Sequence, residues 1–179
     1  VEQARKLIEE ALSSVQSLIY DLSPPILYDL GLEAALEWLG EQFHDRHELR
    51  VCFSDNGEFK GEFKAVREEL QFLMFRTARE LLFNVAKHAK ARLAKVTLGR
   101  RGRFLELAVE DDGVGFTAFA VNGLPGASLN AGGGFGLFSI RERLEHFGGR
   151  LEVTSRLGRG TLVTATVPLE AAPGIERPA

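Results

Sequence analysis

Apolar residues open the chain at alternating spacings of three and four. Val1, Ala4, Ile8, Ala11, Val15, Leu18 and Leu22 form a heptad seam, which Leu7, Leu12 and Ile19 widen. That pattern predicts a long helix whose stripe needs partner helices, as in a bundle. Ser23-Pro24-Pro25 ends it, because proline lacks an N–H and disfavours helix in the residue before it. A second helical stretch, GLEAALEWLGEQF, carries Leu32, Ala35, Leu36 and Leu39 on one face, and a domain boundary is predicted near Phe43. The period then changes. LRVCFS (Leu49–Ser54) alternates as a strand, DNGEFKGEF is a turn region, and a long helix is predicted from about Ala65 to Ala91. AKVTLGRRGRFLELAVED reads as a hairpin turning at Arg101-Gly102. Phe116 to Gly133 is small, polar and aperiodic, a long loop of the kind that is functional or mobile. A helix from about Phe135 to Phe147, stopped by Gly148-Gly149, precedes two strands, Arg150–Ser155 and Thr161–Pro168. Residues 170–179 read as a disordered tail. The order predicts an α+β fold: a two-layer sandwich of helices on a mixed, mostly antiparallel sheet, preceded by a long bundle helix.

Composition narrows this picture. The 179 residues are 45% apolar, enough for one cored domain with an appendage, and carry a formal net charge of −3. That balance argues against a domain built to grip nucleic acid. The lone Cys52 excludes an internal disulfide and, with four histidines scattered along the chain, leaves no structural zinc set. No run approaches membrane-spanning length, and no signal peptide opens the chain. Val1 falls within a helical pattern, so a fragment of a longer protein is expected: a cytoplasmic module, with any membrane anchor of the parent in upstream segments.

Three features break local rules. In ELLFNVAKHAKA, helical spacing gathers Leu81, Leu82, Val85, Ala86 and Ala89 on one side and Glu80, Asn84 and Lys87 on the other, with His88 at the edge. A solvated face is the favoured reading of such a stripe taken alone, although Asn is a poor residue for a helix interior. The acid and amide could also sit on a hydrated Mg²⁺, and the lysine could meet a phosphate oxygen. Asp111 shares a strand face with Leu105, Leu107 and Val109 and is followed by DGVGF. This is either a strand-ending turn or a buried acid able to accept a hydrogen bond from an amino group. GGGFGL (Gly132–Leu137) leads into a helix, where exposed N–H groups and the helix dipole suit phosphate, though a flexible linker fits too.

The order of these segments resembles the Bergerat-type (GHKL) ATP-binding fold of histidine kinases, type II topoisomerases, heat-shock protein 90 and mismatch-repair ATPases. The matching pieces are ELLFNVAKHA (N box), DDGVGF (G1 box), GGGFGL (G2 box) and GRGT at Gly158–Thr161. LIYDLSPPILYDLGLEAAL, NVAKHAKA and SIRERLEHFGGRLEVTSRLGRGTLVTATVPL are similar to the sensor histidine kinases related to the nitrate sensors and the DesK thermosensor.

The resemblance implies an ATP-dependent protein histidine kinase of two-component signalling. Residues 1–43 would be the second bundle helix and connector of a dimerisation and histidine-phosphotransfer region, and residues 44–169 the catalytic domain. Asp111, helped by Thr161, would take the adenine amino group, with Gly113 and Gly115 letting the chain pass close to the base. Asn84 would ligate Mg²⁺, and Glu80 would act through a metal-bound water or as a catalytic group. Lys87 and His88 would reach the phosphates, which Gly132, Gly134, Gly136 and the Leu137 amide would cap. Phe116–Gly133 would be the ATP lid. The implied partners are a response-regulator receiver domain and a second copy of the full-length protein. Phe135 departs from the leucine commoner at that point of the G2 box. The family's phosphoacceptor histidine lies on the first bundle helix, expected outside this fragment, so the fragment is expected to bind ATP without phosphorylating itself. His44, in the His-Asp dipeptide after the second bundle helix, is not in the acceptor's place. A non-kinase ATPase, an anti-sigma-factor serine kinase and a non-catalytic interaction module are the alternatives of the same fold.

Overall fold

A computed structural model of the chain describes residues 25–56, 66–116 and 134–170. The heptad helix of residues 1–22, most of the Phe116–Gly133 loop and residues 171–179 lie outside them. Pro25 opens a short helix, α1 (Pro25–Asp29), a position where its missing N–H has no helical partner to lose. Gly31, at φ 93°, turns the chain into α2 (Leu32–His47), which ends at Glu48 in the left-handed region. The predicted boundary near Phe43 thus falls inside an unbroken helix. Leu32, Ala35, Leu36, Leu39 and Phe43 are buried along one face of α2. Gly40 lies so close to β1 (Arg50–Asp55) that a Cβ there would be 3.2 Å from the Val51 side chain.

The helix expected to begin near Ala65 starts at Glu68 as α3 (Glu68–Asn84). Its entry is fastened by Gln71, whose buried amide donates to the Val66 carbonyl at 2.7 Å. Leu70, Leu73, Met74, Phe75, Ala78, Leu81 and Leu82 are buried, a stripe wider than one face. The reason is position: α3 contacts α2 on one flank, a later helix on the other and the sheet beneath. The remaining elements are β2 (Leu93–Arg101), β3 (Phe104–Asp111), α4 (Gly134–His146), β4 (Arg150–Ser155) and β5 (Thr161–Pro168). The β2–β3 hairpin turns at Gly102-Arg103, one residue later than predicted, because Arg101 pairs with Phe104. Gly102 supplies the positive φ of 61° at the first turn position. At the end of α4, Gly148 N–H bonds to Glu145 O and Gly149 N–H to Leu144 O, a Schellman stop with Gly148 at φ 71°.

The five strands lie in the order β1-β2-β3-β5-β4. The β1–β2 pair is parallel and the other three pairs are antiparallel, so the expected mixed, mostly antiparallel sheet is present. Alternation presents one face to the helices. On that face the register aligns Leu98, Leu107, Ala165 and Leu151 in one rung and Val96, Val109, Val163 and Val153 in the next. All eight are buried. The following rung changes chemistry: Ala94, Asp111, Thr161 and Ser155.

Candidate active site

The polar rung ends the sheet. Asp111 is 7% exposed and Ser155 8%. Asp111 Oδ1 accepts the Gly113 N–H at 2.8 Å. Burial raises the Asp111 carboxyl above its ordinary range, and the Asp112 charge adds to that, while donors on Gly113 and Thr161 work in the other direction. Ser155 Oγ and Thr161 Oγ1 are 2.9 Å apart. Ser155 also accepts the Phe116 N–H at 2.9 Å and reaches the Gly160 carbonyl at 3.1 Å.

Three glycines lock the neighbouring turns together. A Cβ on Gly113 would run into the Ala89 carbonyl, one on Gly115 into the Arg156 carbonyl, and one on Gly160 into the Asp111 carbonyl. Gly115 and Gly160 also sit at φ 58° and 74°, where a side chain strains the backbone. Val114 N–H donates to Ala89 O at 2.8 Å, and Gly158 N–H donates to Val114 O at 2.7 Å. The turn after β3 is therefore stitched both to the end of the α3 segment and to the β4–β5 turn.

The predicted helix through Ala91 is corrected here. At Asn84 the α-helix gives way to a π-helical turn, Val85–Ala89, and Lys90 in the left-handed region (φ 51°) ends it. The shifted register delivers the Ala89 carbonyl to the turn after β3, a use in keeping with π-bulges near functional sites. Glu80 and Asn84 are half-buried, whereas Lys87 and His88 are exposed and the Lys87 ammonium lies 5.9 Å from the Phe83 ring centroid.

A second polar group gathers where α3 meets α4. A Cβ on Gly136 would lie 2.6 Å from Glu80 Oε1 and 3.3 Å from Asn84 Nδ2, so the start of α4 seats directly on these two side chains. Asn84 Nδ2, Thr77 Oγ1 and Arg143 Nε are buried without a hydrogen-bond partner among the described residues. Arg143 donates from Nη1 to Ser139 Oγ at 2.7 Å. Its pKa is lowered by burial and by Arg76, with Glu80 opposing. Asn84 Nδ2 and Arg143 Nε are N–H donors and call for an acceptor such as water or an anion. One carboxylate and one amide on successive turns form a donor set that fits Mg²⁺ keeping water and phosphate ligands.

The structure thus assembles two clusters from the predicted residues: Asp111, Gly113, Gly115 and Thr161, and Glu80, Asn84 and Gly136. Gly134 begins α4, Leu137 is half-buried in its first turn, and Gly132 lies outside the described residues. Ser155 and Arg143 were not singled out in the sequence. Ser155 had a signal, since it follows Leu151 and Val153 on the same alternation that exposed Asp111 as unusual. Arg143 had none, as an arginine in a surface-helix pattern is ordinary.

Residues 70–171 match the model of the family described as histidine kinase-, DNA gyrase B-, and HSP90-like ATPase. The oxygen sensor histidine kinase NreB of Staphylococcus carnosus is 31% identical over 165 residues, 91% of this chain but 44% of that protein. The chain therefore spans less than half of that relative's length. Two solved structures share the fold. The blue-light activated histidine kinase of Erythrobacter litoralis aligns at TM-score 0.55 and 24% identity over 77% of this chain and 42% of that one. The catalytic domain of the histidine kinase ThkA aligns at TM-score 0.55 and 15% identity over 79% of this chain and 93% of that one. Its sheet order, its interlocked glycines and the family match give one conclusion: this chain belongs to the histidine kinase-, DNA gyrase B-, and HSP90-like ATPases.

Proposed function

We propose that this chain is the ATP-binding catalytic region of a two-component sensor histidine kinase. It would transfer the γ-phosphoryl group to a histidine outside these residues, from which a response-regulator receiver domain takes it. The observation that carries the reading is the buried Asp111 carboxylate at the end of an apolar sheet face, with Thr161 opposite and glycines on either side. A carboxylate there offers acceptors to the adenine amino group. Thr161 steadies the carboxylate, and Gly113 and Gly115, whose missing side chains let the turn pack on Ala89 and Arg156, would carry the chain close beneath the base. Gly132, Gly134, Gly136 and the Leu137 N–H would hold phosphate at the start of α4, with Lys87 supplying positive charge and His88 also reaching the phosphates from the π-helical turn. Asn84 and Glu80 would hold Mg²⁺, which neutralises phosphate charge when bound. In this chemistry the protein mainly positions groups and stabilises charge.

Residues 1–43 are read as part of a dimerisation region and residues 44–169 as the catalytic domain, with α2 (Leu32–His47) spanning the two as a connector that shares the catalytic core. Dimerisation would occur through the bundle helix in the longer protein. No helix among the described residues is long and apolar enough to cross a membrane, and the reading assigns the module to the cytoplasm. Isothermal calorimetry with Mg²⁺ and a slowly hydrolysed ATP analogue tests the site. Asp111→Asn and Asn84→Ala are each expected to weaken binding by about tenfold or more, on the order of one or two well-made hydrogen bonds. Unchanged affinity in both variants removes the assignment.

A further inference from the structure

The last rung of the sheet contains one polar residue that the adenine reading does not use. Ser155 lies opposite Thr161 in the β4–β5 register, and Thr161 lies opposite Asp111 in the β3–β5 register. The three polar side chains therefore form a row across three strands, on the face whose preceding rungs are wholly apolar. Ser155 is buried, so its hydrogen bonds must be made within the protein.

Counting protons limits how the row can be arranged. Each hydroxyl has one proton and two lone pairs. Ser155 spends one lone pair on the Phe116 N–H. The 2.9 Å gap between Ser155 Oγ and Thr161 Oγ1 needs one proton in it. If Thr161 supplies that proton, its lone pairs turn toward Asp111, which is repulsive when the carboxylate is ionised. If Ser155 supplies it, the Thr161 proton is free to point at Asp111. The Gly160 carbonyl, which Ser155 could otherwise serve, still has the Arg156 N–H at 3.4 Å. An ionised Asp111 thus selects the arrangement in which protons run from Ser155 to Thr161 to Asp111. A hydroxyl that accepts a hydrogen bond also donates more strongly.

We propose that Ser155 is a positioning residue for base selection, orienting the Thr161 hydroxyl so that the rung faces the ligand with acceptors only. Resting on the adenine-site reading of Asp111, this explains a preference for a purine carrying a 6-amino donor over one carrying a 6-oxo acceptor. Without the Ser155 hydroxyl, the Thr161 proton is free to turn away from the carboxylate. The ionised form then loses an oriented donor, and the site no longer presents a fixed row of acceptors.

The test compares slowly hydrolysed analogues of ATP and of inosine triphosphate by calorimetry on the full 179-residue chain. Ser155→Thr and Ser155→Val add the same branch at the same buried point and differ in the hydroxyl, so packing loss affects both alike. The unsubstituted chain is expected to favour the adenine compound by about tenfold or more, the scale of one directed hydrogen bond plus an avoided acceptor clash. Ser155→Thr is expected to keep most of that ratio, and Ser155→Val to narrow it to about threefold or less. A ratio in Ser155→Val equal to that of the unsubstituted chain, or lost equally in both variants, overturns the role of Ser155 and leaves the adenine site standing. An unsubstituted chain that binds both compounds equally overturns the adenine reading and this proposal with it.

Discussion

Asp111 and Asp112 are neighbours in sequence with opposite electrostatic settings. Asp112 is exposed, and its Oδ1 accepts the Arg92 and Leu93 N–H groups at 2.9 and 3.0 Å. Those donors, Leu93 first, hold its carboxyl below the ordinary range. Asp111 is buried, and burial raises its carboxyl above the ordinary 3.8. The stability consequences have opposite signs. The contribution of Asp112 is present above its unfolded value and is lost as the pH falls through its folded value. A raised acid binds its proton more tightly in the fold, so the contribution of Asp111 is most favourable below 3.8 and declines as the pH rises toward the raised value. Urea midpoints of Asp111→Asn measured across that window are therefore expected to gain steadily on those of the unsubstituted chain with rising pH. A difference that is flat or of the opposite slope removes the claim that burial dominates. An acid that costs stability when ionised is what a site residue looks like. The sequence exposed it because alternation put a carboxylate in phase with three core residues. It could not show that Asp112, one residue on, serves as an ordinary cap for the start of β2.

At the scale of elements, the α3–α4 joint depends on a missing side chain. The atom nearest a Cβ on Gly136 is Glu80 Oε1, the mobile end of a flexible group, followed by the Asn84 amide. Gly136→Ala is therefore expected to displace those two side chains rather than unfold the protein. Thermal midpoints should move by only a few degrees, on the scale of about 1 kcal/mol. Mg²⁺-dependent affinity for the ATP analogue should fall by about tenfold, and Mg²⁺-independent affinity much less. Equal loss in both conditions would place the effect elsewhere. Helical period found α3 and the apolar side of its end, because Leu81, Leu82 and Val85 are buried as expected. It missed the π-helical turn, since no local residue pattern encodes it. The turn is held by the Val114 N–H on Ala89 O, a contact from a segment that the helix itself does not contain.

For the whole molecule, the decisive feature is that α2 belongs to the same hydrophobic core as the sheet and α3. Leu32, Leu36, Leu39 and Phe43 are between 0% and 7% exposed. Burying four such side chains is worth roughly 6–12 kcal/mol before chain entropy is charged against it, comparable with the whole stability of a domain. A chain beginning at residue 44 is therefore expected to lose its cooperative thermal transition by circular dichroism, while one beginning at residue 25 keeps it. A sharp transition in the shorter chain would show that α2 is dispensable.

The sequence alone determined what depends on near neighbours. Periodicity set the strands β4 and β5 and the core faces, glycine pairs set the α4 stop, and the order of polar segments pointed to an ATP-binding fold. The strands, faces and stop follow from side-chain direction and backbone freedom, which act within a few residues. The ATP-binding fold came instead from the resemblance of the ordered boxes to a known family. Tertiary structure decided what depends on register between distant strands and on docking. It set Asp111, Thr161 and Ser155 in one rung, brought Gly136 onto Glu80 and Asn84, and packed α2 into the same core as the sheet and α3. Those juxtapositions join segments tens of residues apart, and no local pattern carries them.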